Sequence, residues 1–124
     1  MIGDFNDLNI LVAHRTEAHV IDADSFQFGQ FLCKVFTTRF VDPLMCDTSA
    51  TSPMLARPYN ANSDWYAYAV MLMQSLLYVD PYGGIYKPKD SAHRIPHGQR
   101  PLKRITVFHP CLLYTSDAAD DLPC

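Results

Sequence analysis

With 124 residues, 48% of them apolar, and a formal net charge of −3, the chain has room for one domain at most. Its longest apolar run, Trp65 to Val79, is broken by Gln74 and Ser75 and falls short of the roughly twenty residues a bilayer span needs, which argues against a membrane partner. The opening Met1-Ile2-Gly3-Asp4 has neither the basic region nor the apolar core of a signal peptide, and the cysteines fit no zinc pattern, so the expected setting is soluble, reducing and cytoplasmic.

Three polar side chains near the start stand at telling intervals: Asp4, then Asn9, then Asp22. Asn9 is followed by the apolar run Ile10 to Val12, and Asp22 is preceded by Val20-Ile21, so each lies at the end of a short predicted strand. The polar connection Ala13 to His19 between the runs predicts a hairpin. A hairpin brings Asn9 and Asp22 to one end, where an oxygen-preferring cation could join them.

From Ser25 to Phe36 the chain is aromatic-rich, with alternation at Phe26 and Phe28 and again from Lys34, which suggests a short ribbon turning at Gly29-Gln30. Asp47 to Asn62 is rich in Thr, Ser, Pro, Ala and Asn and predicts a loop. Thr37, Thr38, Thr48, Ser49, Thr51 and Ser52 offer hydroxyls for regulatory phosphorylation, beside the plainer reading that they are solvated loop residues. Asn62-Ser63-Asp64 marks a helix start, with Ser63 or Asp64 accepting from the free amides of the first turn. Trp65, Tyr68, Ala69, Leu72, Met73 and Leu76 then repeat at helical spacing, while Ala67, Val70, Met71 and Leu77 make the opposite face apolar too. A helix apolar all round is expected to be buried on every side. Asp80-Pro81-Tyr82-Gly83-Gly84 stops it.

Between Ile85 and Pro110, six bases (Lys87, Lys89, Arg94, Arg100, Lys103, Arg104) face one acid, Asp90. Pro88, Pro96 and Pro101 deny this stretch a long helix, and beyond Tyr86 no aromatic interleaves with the bases for stacking, which argues against a nucleic-acid partner. His93, His97 and His109 have no partner set for a metal and read as surface histidines. Residues 111–124, beginning Cys111-Leu112-Leu113-Tyr114, resemble the translation of a transposase-type sequencing adaptor. They are expected to be a non-biological tail, whose three aspartates account for the whole net charge.

Taken together, residues 2–84 resemble the large lobe of the protein-kinase-like superfamily. That family's catalytic loop reads His-Arg-Asp-Leu-x-x-x-Asn, and aligning on its Asp and Asn sets Asp4 at the catalytic base and Asn9 at the metal-binding amide. Asp22-Ala23-Asp24 takes the place of Asp-Phe-Gly, with Asp22 as second ligand to Mg²⁺ and both residues cofactor-binding. Thr38 to Leu44 resembles the end of the activation segment, and Ser63 to Val70 the opening of the central helix. By position Asp64 inherits the role of the helix-start aspartate that accepts from catalytic-loop amides. The resemblance implies an α+β fold, a partial kinase large lobe over 1–84 with a basic continuation over 85–110. It implies a parent using ATP and Mg²⁺ to phosphorylate a protein hydroxyl of the Ser/Thr type. No Gly-rich phosphate loop or Val-Ala-Ile-Lys strand occurs, so the small lobe is expected upstream and the chain alone is expected to be an inactive, poorly soluble fragment.

Several positions depart from the pattern. Asn6 replaces a lysine, Asp24 replaces a glycine whose conformational freedom it lacks, and Leu44 replaces a glutamate that pairs with an arginine. Those departures keep open a pseudokinase-like binding or regulatory module. The Gly3-Asp4 pair keeps open a small-molecule phosphotransferase of the aminoglycoside-kinase type.

Overall fold

A computed structural model describes residues 1–114 and shows a small mixed fold of one α-helix and two two-stranded antiparallel sheets, joined by short 3₁₀ turns. The first sheet is the expected hairpin. β1 (Ile10–Ala13) pairs with β2 (Glu17–Val20), Ile10 opposite Val20 and Ala13 opposite Glu17. Pairing begins earlier in β2 than the apolar residues alone suggest, because His14 and Arg15 both adopt positive φ (50° and 66°) and the Thr16 amide donates to Ala13 at 3.1 Å. That tight turn matches the right-handed twist of the strands, and it leaves only three residues outside the ladder. The aromatic ribbon shrinks to one bridge, Phe28 with Phe31 around Gly29, and residues 34–36 form no strand.

The α-helix, α1 (Ala61–Leu72), starts before the expected signal. Asn60 is the cap: its side chain accepts from the amides of Asn62 (2.8 Å) and Ser63 (3.2 Å), and the Ser63 hydroxyl accepts from the Asn60 amide at 3.0 Å. This reciprocal box frees Asp64 from capping. A five-residue π turn, Met73–Leu77, extends the helix, and Tyr78 ends it at a φ of 55°.

The all-round burial expected of this helix inside a complete lobe is not seen in the chain itself. Only one face of α1 packs, through Ser63, Ala67 and Val70 with Tyr66 and Met71 beside them, whereas Trp65 is 68% exposed and Leu76 70%. The packed stripe follows the smaller residues because Ala67 and Val70 let Phe5 and Phe40 approach the helix closely. The bulkier Trp65, Tyr68, Leu72 and Leu76 stripe stays on the surface.

Behind this first core lie two smaller ones. Val41, Cys46 and Leu102 form one, and Tyr86, Ile105 and Leu112 the other. In the second sheet β3 (Ile85–Tyr86) pairs with β4 (Leu112–Leu113). Residues 111–114, which the adaptor reading assigns to the tail, are therefore packed: Leu112 is buried, and the Asp80 amide donates to the Tyr114 hydroxyl at 2.9 Å. The remaining tail, 115–124, lies outside the described residues.

Arg100 is not part of a basic surface. It is buried, and its guanidinium donates to the carbonyls of Tyr82 (3.1 Å), Gly83 (3.4 Å) and Gly84 (2.9 Å). Leu44 is exposed. No helix among the described residues is long and apolar enough to cross a membrane.

Candidate functional site

Residues 1–9 are held against α1 from both sides. Phe5 inserts into the helix core, and the Asp64 carboxylate accepts from the amides of Ile2 (2.9 Å) and Gly3 (3.4 Å). Gly3 has a φ of 76°, and a Cβ there would strike the Ser25 carbonyl and lie 2.9 Å from the Cys33 sulfur. Only glycine fits, which gives the Gly3-Asp4 pair a steric cause.

Asp4 opens the loop that follows. Its carbonyl accepts from two side-chain amides, those of Asn6 and Asn9, each at 3.1 Å. Asn6 is buried at 3% exposure, and its Oδ1 caps the Leu8 amide at 2.9 Å, so it braces the loop itself. The Asp4 carboxylate turns the other way, accepting from the Thr37 amide at 2.6 Å and the Thr37 hydroxyl at 3.3 Å. No signal in the sequence points to this contact between Thr37 and Asp4, which lie thirty-three residues apart.

The far side of the loop meets the hairpin. The Ile21 amide donates to the Asn9 carbonyl at 2.9 Å, extending the pairing of β1 with β2 by one bond and delivering Asp22 to Asn9. There the Asn9 amide also reaches an Asp22 carboxylate oxygen at 3.5 Å. Asp22 sits in the left-handed region (φ 65°, ψ 52°), stabilised by the amide and hydroxyl of Ser25 donating to its carbonyl at 3.1 and 2.9 Å. The positive φ of this stretch belongs to residue 22. Asp24 lies inside the turn Ala23–Ser25 and needs no glycine.

Charge accumulates at this end of the site. The Asp24 carboxyl, close enough to share a proton with Asp22, and its negative charge hold the Asp22 pKa above the ordinary 3.8, and Asp4 adds to the effect. Arg39 pairs with Asp7 at 2.9 Å and stacks over Phe40, outside this carboxylate group. No trio of His, Cys, Asp or Glu suited to a metal occurs among the described residues. The donor set that Asp22 and the Asn9 carbonyl oxygen offer is all oxygen and small. As the side chains stand, the Asn9 amide nitrogen faces Asp22, so a hard cation such as Mg²⁺ would need the Asn9 amide turned over to present its oxygen.

Asp4, Asn9, Asp22 and Asp64, the four site residues read from the sequence, are therefore neighbours joined by direct bonds or through one intervening residue. Compared with family models, with curated proteins and with solved structures, the chain has no match.

Proposed function

We propose that residues 2–84 form the metal-holding and hydroxyl-orienting half of a phosphotransfer site of the protein-kinase type, within an ATP- and Mg²⁺-dependent Ser/Thr phosphotransferase. The observation that carries this reading is the single amide of Asn9 reaching both the Asp4 carbonyl and the Asp22 carboxylate, on a loop whose two leading amides are held by Asp64. Phosphoryl transfer asks the protein chiefly to position groups and to neutralise charge. Asn9 and Asp22 would hold Mg²⁺, which supplies charge neutralisation on the phosphate oxygens. Asp4 would orient the incoming hydroxyl and accept its proton, and Thr37 fixes the direction of that carboxylate. The repulsion around Asp22 favours a cation there.

A binding or regulatory module without catalysis is the second reading, favoured by one contact. The Asp4 carboxylate is already occupied by Thr37 at 2.6 Å, so a substrate hydroxyl must share it. Manganese with ATP is the direct test. Selective paramagnetic broadening of the Asn9 side-chain amide and the Asp22 amide in the wild type, lost in Asp22→Ala, is the expected result; broadening unaffected by that substitution removes the metal site. In a parent that phosphorylates a protein hydroxyl, Asp22→Ala should abolish transfer. Transfer to a small alcohol alone would instead point to the aminoglycoside-kinase type.

A further inference from the structure

A cleft of about 540 Å³ opens between the turn after Asp42 and the turn Pro101–Arg104, and none of the residues lining it belongs to the site above. Asp47, Thr48, Arg57 and Arg104 bring polar side chains to it, with Leu44 and Pro101 on its walls. Both arginines are exposed, and neither guanidinium has an acidic partner among the described residues. The other two arginines that the structure engages are spent elsewhere, Arg39 on Asp7 and Arg100 on carbonyls. Two guanidinium groups without acidic partners line one cleft, which offers an anion charge-assisted donors from both walls.

Their setting is partly fixed in advance. Arg104 has a φ of 58°, a conformation uncommon for any residue with a side chain, and it is held there by its own amide donating to Pro101 (3.1 Å) and the Ile105 amide donating to Arg100 (3.0 Å). Arg57 follows the bridge of Cys46 with Leu55 and the bond from the Ala56 amide to Met45 (2.9 Å), which tie its segment to residues 45–46. Little backbone ordering therefore remains to oppose a ligand. The one acid at the cleft, Asp47, turns its carboxylate inward on its own turn, accepting from the Ser49 amide (2.8 Å) and hydroxyl (2.6 Å). The lining keeps a net positive charge.

We propose that this cleft binds a phosphate monoester dianion between Arg57 and Arg104. Guanidinium forks match the geometry of phosphate oxygens and form charge-assisted hydrogen bonds with them, and the cleft is polar and open enough to admit such a group. The ester has two sources with the same chemistry: a phosphoryl group on Thr48, whose exposed hydroxyl lies on the cleft itself, or a phosphorylated ligand from solution.

The chain, titrated with inorganic phosphate and with O-phosphothreonine, should give a saturable ³¹P chemical-shift change. Arg57→Ala and Arg104→Ala should each weaken it about tenfold, the loss of one charge-assisted contact. Asp47→Asn, which removes the competing charge, should tighten it. Wild-type thermal midpoints in the arginine variants would show that the fold is intact, and Arg57→Lys, which keeps the charge, should recover part of the affinity. A chain carrying phosphothreonine at position 48 separates the sources: exclusion of free phosphate assigns the cleft to the chain's own modification, and unaltered binding assigns it to a ligand. Absence of a saturable shift in the wild type, or affinity unchanged when both arginines are replaced by alanine, overturns the proposal.

Discussion

At Gly3 a backbone conformation and a close approach coincide, and the two requirements reinforce each other. Gly3→Ala places a Cβ against the Ser25 carbonyl at a φ of 76°, so a loss of about 2 kcal/mol in folding stability is expected from urea unfolding. Asp22 carries a different signature. Its carboxyl binds a proton more tightly in the folded chain than in the unfolded one, because Asp24 shares that proton and repels the charged form. Stability linked to this group therefore falls as pH rises from the ordinary 3.8 through the raised folded value, and the loss persists at neutral pH. Asp24→Asn removes the cause; the difference in unfolding midpoint between acid and neutral buffers should shrink. A carboxyl ¹³C titration of Asp22 that is unmoved by Asp24→Asn would contradict this account.

Among the elements, the link between α1 and the Asp4 loop is the one that decides how the site is held. Asp64 is spent on the amides of Ile2 and Gly3 because Asn60 and Ser63 already close the helix start. Asp64→Ala should cost about 2 kcal/mol, the range for a hydrogen bond to a charged acceptor, and should shift the amide resonances of residues 2–9. A loss of helix stability with those resonances in place would reduce Asp64 to an ordinary partner of the helix dipole. The hairpin and the meeting of Asn9 with Asp22 were legible in the sequence, since alternation and spacing are local properties. Other features were not, and each for a physical reason. Two apolar stripes on α1 look alike in sequence, and shape complementarity to Phe5 and Phe40 chose the smaller one. Asn60 and Ser63 both suit a helix start, and only their reciprocal bonds show which is the cap. The Thr37 bond to Asp4 joins residues far apart in the chain, and no local pattern announces it.

Across the whole molecule, three small cores share the work of one, and much apolar surface stays outside them. Trp65, Tyr68, Leu72, Leu76 and Leu77 are all exposed along α1 and the π turn that follows it. A patch of this kind favours association, so light scattering should show the chain gathering into larger species as concentration rises, and Trp65→Ser with Leu76→Ser should shift that onset upward. The third core depends on the ladder of Ile85–Tyr86 with Leu112–Leu113, helped by the Lys87 amide donating to Cys111 at 2.8 Å. That ladder is a clasp with one half on each side of twenty-five intervening residues. Whatever the origin of its second half, the clasp shuts the intervening chain into a ring whose ends are buried with Ile105. Cutting the chain after Pro110 opens the ring, and trypsin should then cut first at Lys89, Arg94, Lys103 and Arg104, which no proline follows, while the hairpin around Asn9 and Asp22 outlasts them.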